Sequence, residues 1–251
     1  MVRALEAAAR RGAHVTVRLE GRPHPDSTGA VALQNVRAIQ ELRRCGADAQ
    51  LTAPGQPFLH LKAAVCDGET FLDDRNFPDR GDTIVCDDAH GATRAVLEAA
   101  AGKAQRAARG LWTDKQAAMR QETRLIESAA PGTAICVSTE SLGFCDVYGA
   151  LKRLARSGVE CDLIVARSDV RGKNGRAAMD LQAAGVHVRV AAAAEKVAIA
   201  GGSAWIGSAN ATYASEPTLD WGLRTSQRRV VRTLQERFNA QWRRARAYRS
   251  S

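Results

Sequence analysis

The sequence predicts an α/β protein of two similar halves, each a mixed β-sheet flanked by helices, related by a pseudo-twofold. Three observations carry that expectation. Apolar runs of strand length alternate with Ala- and Arg-rich amphipathic segments, several of which close on a glycine. The helix–glycine–strand pattern of residues 4–19 recurs at 150–165, so Ala4-Leu5, Gly12 and Leu19 meet Ala150-Leu151, Gly158 and Val165 at one offset of 146 residues. A second constant offset, of 134 residues, carries Lys62 onto Lys196 and Asn76 onto Asn210.

At 251 residues the chain can bury a sizeable core in one large domain or two small ones. Its 45% hydrophobic and 25% charged residues exclude disordered and fibrous classes. A formal net charge of +9 favours polyanionic partners, nucleic acid or an anionic membrane surface. None of the six cysteines forms a CxxC pair or a zinc-spaced Cys/His cluster, so no metal site is expected. Free thiols, no signal peptide and no run near the ~18 apolar residues of a membrane span favour a cytoplasmic protein.

Residues 1–11 read as a helix already under way, closed by Gly12, and 14–19 alternates as a strand. A Pro/Gly/Ser loop at 21–29 precedes a helix over 33–44, closed by Gly46. A strand from Phe58 to Cys66 follows, with 69–72 as its hairpin partner and 83–86 as another short strand. Helices are expected over 91–109 and 114–129, ending at Pro131-Gly132. The halves are placed at 1–110 and 133–251, with 111–132 as a connecting helix. The second half opens on a strand at 133–137, then a helix at 146–156 and a strand at 161–165. A loop at 168–175, a helix ending at Gly185 and a strand at 186–190 come next. Strand-like runs at 196–199 and 204–210 flank Gly201-Gly202, and a helix over 226–247 closes the chain. The second copy has a strand ahead of its first helix, whereas the first copy begins inside that helix. It therefore reads as truncated, with an open sheet edge or a strand swapped from a partner as the consequence.

The chemistry concentrates in Phe58–Asn76. His60 and Lys62, two apart on an alternating run, fall on one face of a strand. Asp67 follows five residues after the lysine, with Gly68 starting a tight turn, and Asn76 lies fourteen residues past Lys62. This His-x-Lys-x4-Asp spacing, its repetition around Lys196 and the Gly207-Ser208-Ala209-Asn210 run resemble the phospholipase D superfamily. The resemblance covers nearly the whole chain. It departs from the family in two places: Ala194 and Gly201 stand where the second motif has His and Asp, and Asp73-Asp74-Arg75 replaces the first Gly-Ser-x. Those two carboxylates are expected to point to solvent.

The resemblance implies two phospholipase D-like halves and a phosphodiesterase acting through a phosphohistidine, without metal or cofactor. His60, Lys62 and Asp67 are the implied catalytic residues; Asn76, Lys196, Ser208 and Asn210 are the implied phosphate-binding residues. The substrate is a phospholipid headgroup or a nucleic acid, with peripheral contact with an anionic membrane as an accompanying expectation. Loss of the second histidine implies impaired turnover, and leaves three arrangements. A homodimer pairs two His60 residues, and is not favoured because the second half occupies the partner's place. Glu195 or water replaces the missing acid. Or the chain is an inactive protein that binds phosphate or nucleic acid. The other histidines, His14, His24, His90 and His187, are read as surface or core residues.

Overall fold

Residues 1–24, 29–77, 83–87, 90–103, 110–170 and 175–248 are described by the computed structural model of the chain. The first elements are α1 (Val2–Arg10), β1 (Thr16–Leu19), α2 (Ala30–Arg44) and β2 (Asp48–Leu51). Next come β3 (Phe58–Leu59), β4 (Ala63–Cys66), β5 (Glu69–Asp73), β6 (Ile84–Asp87), α3 (His90–Ala100), β7 (Leu111–Asp114) and α4 (Lys115–Glu127). Then follow β8 (Ile135–Thr139), α5 (Asp146–Arg156), β9 (Cys161–Ala166), α6 (Arg167–Val170), α7 (Gly175–Ala183) and β10 (His187–Ala191). The last are β11 (Val197–Ala200), β12 (Ser203–Gly207), β13 (Thr218–Thr225), α8 (Arg228–Arg244) and β14 (Arg246–Ala247).

The apolar runs of the second half build a nine-stranded mixed sheet, ordered β14-β10-β9-β8-β11-β12-β13-β3, with β7 also pairing β13. Strands β10, β9 and β8 are parallel, and β11, β12 and β13 continue antiparallel. Every residue of β8 is buried, as its continuous Ile-Cys-Val-Ser-Thr run requires of a strand covered on both faces. One core joins this sheet to α4, α5 and α7 through Met119, Leu125, Leu151, Leu163 and Leu181. On the other side Ile164, Ile206 and Trp221 pack with Leu72, Val96, Leu234 and Phe238.

The first half is built differently. Apart from β3, its strands form two separate sheets, the parallel pair β1-β2 and the antiparallel β4-β5-β6. Among the described residues β1 pairs with β2 and β4 with β5, so the two small sheets are not joined. A small third core, Ile39, Leu42, Ala47 and Ala49, serves α1, α2 and the β1-β2 pair alone.

Several expected elements change. The single strand over 58–66 is two strands, because 58–59 joins the large sheet beside β13 while 63–66 pairs with β5. His60 and Lys62 lie in the crossing between them. The connecting segment opens with a strand, 111–114, antiparallel to β13; Asp114 then caps α4 by accepting the Ala117 N–H at 2.7 Å. The strand β13 was not anticipated from the sequence, although Leu219, Trp221 and Leu223 alternate through it. Residues 104–109 of the expected 91–109 helix, and 25–28 and 171–174 of two expected loops, lie outside the described residues. The apolar strand-like run around Cys66 would suit a buried thiol, but Cys66 is exposed.

Candidate active site

The short strand β3 is the device that places His60. It runs parallel to β13 with Phe58 opposite Thr218 and Leu59 opposite Leu219, and the His60 N–H donates to the Leu219 carbonyl at 2.9 Å. That pairing lays the imidazole beside Asp220, with Nδ1 to Oδ1 at 2.9 Å. Asp220 is 1% exposed and His60 28%, so a buried carboxylate grips an accessible ring. Burial pushes the Asp220 carboxyl up, but the His60 charge and hydrogen bond, Lys62 and Ser208 outweigh it and hold it below the ordinary carboxylate range. Ser208 Oγ donates to the same oxygen and accepts the Trp221 N–H at 3.1 Å, which fixes the carboxylate from behind. A carboxylate only accepts, so Nδ1 carries the donated proton, and in the neutral ring Nε2 is the nitrogen left with a lone pair. The backbone just before the histidine is also tied: Glu20 Oε2 accepts the Leu59 N–H at 2.6 Å.

Lys62 and Lys196 are close enough to act on each other's charge. Lys62 Nζ donates to the His60 carbonyl at 2.7 Å, and burial lowers its pKa to about 8, against the opposing pull of Asp220. Lys196, 2% exposed, donates to the Asp74 carbonyl at 2.9 Å and to Glu140 Oε2 at 2.7 Å. Burial pushes the Glu140 carboxyl up, but Lys196, Lys62 and Arg75 prevail and keep it ionised. The site thus combines an oriented imidazole, two ammonium groups and one accessible carboxylate, beyond the carboxyl end of β8, where parallel sheets form their crevices.

The remaining expected residues are placed less uniformly. Ser208 reaches the site through Asp220 rather than through open space. Asn210 is half-buried with its Oδ1 sealed and without a hydrogen-bond partner, and Asn76 is exposed on the bend after β5. Asp67 is exposed at the tip of the β4–β5 hairpin with φ 49, followed by Gly68 at φ 88. The β11–β12 hairpin turns in the same way on Gly201 and Gly202, φ 54 and 79; the position demands left-handed backbone, which Asp and Gly both tolerate.

Asp73 and Asp74, expected in solvent, are each 0% exposed. They are drawn inward because Asp73 N–H donates to the Lys62 carbonyl at 3.0 Å and the Asp73 carbonyl accepts Trp221 Nε1 at 2.8 Å. Asp74 accepts the Thr83 N–H at 2.9 Å, and burial raises its pKa to about 6. Glu195, the expected substitute acid, is held by Arg237 and by Thr83 Oγ1 at 3.2 Å. Ala194, where the second histidine would stand, is 1% exposed and packed in the apolar core.

Three residues escaped the reading of the sequence: Asp220, Glu140 and Lys115. Lys115 is nearly buried and donates to Thr212 Oγ1 at 3.1 Å; burial lowers its pKa, opposed by Asp220. The alternation of Leu219, Trp221 and Leu223 was a signal for the strand that carries Asp220. Glu140 had none beyond following an apolar strand.

The family described as cardiolipin synthase, PLD-like domain, matches residues 123–242. No curated protein matches the chain. Among solved structures, the polyphosphate kinase of Porphyromonas gingivalis superposes with a TM-score of 0.67 at 19% identity, over 96% of this chain and 40% of the kinase. The phosphatidylserine synthase of Haemophilus influenzae Rd KW20 gives a TM-score of 0.54 at 9% identity, over 98% of this chain and 85% of the synthase. Nuc of Salmonella typhimurium, a phospholipase D family member, gives 0.49 at 20% identity, over 56% of this chain and 98% of Nuc. The chain spans less than half the length of the kinase. Among the described residues no helix is long and apolar enough to cross a membrane.

Proposed function

We propose, from the premise that the chain belongs to the phospholipase D superfamily, that it is a phosphodiesterase in which His60 is the nucleophile. The His60–Asp220 pair carries this reading. Asp220 fixes the tautomer and stabilises the imidazolium that forms, so Nε2 can attack phosphorus to give a phosphohistidine. Lys62 and Lys196 lie where they would stabilise charge on the phosphoryl oxygens, a preorganised electrostatic role. Asn76 and Asn210 would complete the phosphate contacts. The substrate is a phospholipid or nucleic-acid phosphodiester. The halves, 1–110 and 133–251, would contribute one motif each, the second without its histidine.

With Ala194 in the apolar core, that position supplies no imidazole to protonate the leaving oxygen. A nitrophenolate leaves without a proton and an ordinary alkoxide does not, so activated diesters should be cleaved far faster than natural ones. The test is hydrolysis of bis(4-nitrophenyl) phosphate with and without EDTA, in wild type and His60→Ala, with mass spectrometry for the phosphohistidine. Chelator-insensitive turnover that vanishes in His60→Ala supports the reading. Turnover that survives the substitution overturns it, and no turnover at all leaves a phosphate-binding protein.

A further inference from the structure

The second, hydrolytic step needs a base to activate water, and the geometry points to Glu140 as that base, an inference that rests on the phosphohistidine reading. Of the carboxylates around the two lysines, Asp73 and Asp74 are 0% exposed, Asp220 is buried against His60, and Glu195 is held by Arg237. Glu140 alone among these described groups is open, with a side chain 48% exposed, while its Oε2 stays 2.7 Å from the Lys196 ammonium.

The carboxylate is held on a stiff mount. Glu140 follows the buried strand β8, and the residues on either side of it are pinned. Thr139 Oγ1 donates to the Ser141 carbonyl at 2.9 Å, and Asp169 accepts Ser141 Oγ at 2.6 Å and the Leu142 N–H at 2.9 Å. Leu142 bridges to Ala211, one residue past Asn210. A reactive group on a braced loop keeps its aim. Lys196, Lys62 and Arg75, which face it from three segments, keep the carboxylate in the form that accepts a proton.

The step balances without another reactant than water. In the phosphohistidine, phosphorus is bonded to His60 Nε2. Glu140 takes a proton from water, the water oxygen forms a bond to phosphorus, and the P–N bond breaks with its electron pair returning to Nε2. The phosphomonoester leaves, and Glu140 releases its proton to solvent. The residue that governs adduct breakdown would therefore lie on the loop after β8, rather than at the vacant histidine position.

The experiment is pre-steady-state hydrolysis of bis(4-nitrophenyl) phosphate by wild type, Glu140→Gln and His60→Ala, with the adduct followed by intact-protein mass. Glu140→Gln should form the adduct within about twofold of the wild-type rate and release one equivalent of nitrophenol as a burst. Steady turnover should then fall about 10²-fold, at the scale of a lost general base, as the His60 adduct accumulates. Unchanged or faster turnover in Glu140→Gln, with no burst and no adduct, overturns the inference alone and leaves Glu140 as a carboxylate resting on Lys196. Turnover that His60→Ala leaves intact overturns both this step and the phosphohistidine reading.

Discussion

Two regions of this molecule divide scaffold from chemistry. The second half buries Val147, Ala150 and Leu151 from α5 and every residue of β8, whereas α1 buries none of its residues and β1 is exposed or half-exposed throughout. Yet the weaker region carries His60, whereas the stronger one buries Ala194 in its core. The proposed nucleophile sits on a thin scaffold and leans on a thick one. His60 hangs on β13, and its carboxylate, its serine brace and its second lysine all come from the second half. A motif can outlast the quality of its own surroundings when its partners sit elsewhere.

The largest test of that borrowing is Asp220→Asn. It removes the carboxylate from the better-built half and leaves His60 in place, so the rate constant for nitrophenyl diester cleavage should fall about 10²- to 10⁴-fold with little change in KM. An unchanged rate would mean that His60 needs nothing from β13.

The scaffold contrast is tested by paired truncations. Leu151→Ala, at a site with 0% exposure, should cost about 2 to 5 kcal/mol in urea unfolding, and Leu5→Ala, half-exposed on α1, less than about 1 kcal/mol. Equal costs would erase the distinction between the two regions.

Supplying the missing imidazole is the next step down. Ala194→His should lower the rate ratio of activated to natural diester about tenfold, by supplying a proton to the alkoxide. Because Ala194 is packed in the core, the same change should cost about 1 to 3 kcal/mol of stability. Gly201→Asp, at a backbone conformation that Asp67 already adopts, should be tolerated with far less loss.

The smallest effect lies in pH. Lys62 has its pKa lowered to about 8, so its positive charge is present below that pH and lost above it. kcat/KM should fall tenfold per pH unit on the alkaline side of about 8, and Lys62→Arg should move that limb beyond pH 10. The sign for stability is opposite. Between about 8 and 10.5 the unfolded chain holds a proton that the folded one has shed, so this group favours the folded state as pH rises through that window.

The repeat was read from glycines and lysines at constant offsets; the turns at Asp67-Gly68 and Gly201-Gly202 do share left-handed backbone. The α/β class and most helices followed from periodicity. Of the residues read from the sequence, His60, Lys62, Lys196 and Ser208 are linked through Asp220 and the two lysine charges. Asp220 is distant in sequence from His60, and the contact is made by a two-residue strand too short to leave a pattern. Asp73 and Asp74 misled because a carboxylate pair normally signals solvent; backbone hydrogen bonds to Lys62 and Thr83 pull them inside. Asp67 was assigned by spacing, and the same spacing sets it at an exposed hairpin tip.

The contact between Glu20 and the Leu59 N–H has a consequence for conformational populations. The described residues of 2–51 gather around a small core of their own, so this segment is expected to open at a free energy below that of global unfolding. Glu20, 7% exposed at the end of β1, is a latch from this unit to the residue before His60. Each opening frees the Leu59 amide and loosens the strand that aims the imidazole. On the phosphohistidine reading, the fraction of molecules with the imidazole aimed would then follow a local equilibrium some forty residues upstream. In hydrogen exchange, the amides of β1, β2 and Leu59 should lose protection together while those of β8 and β9 hold.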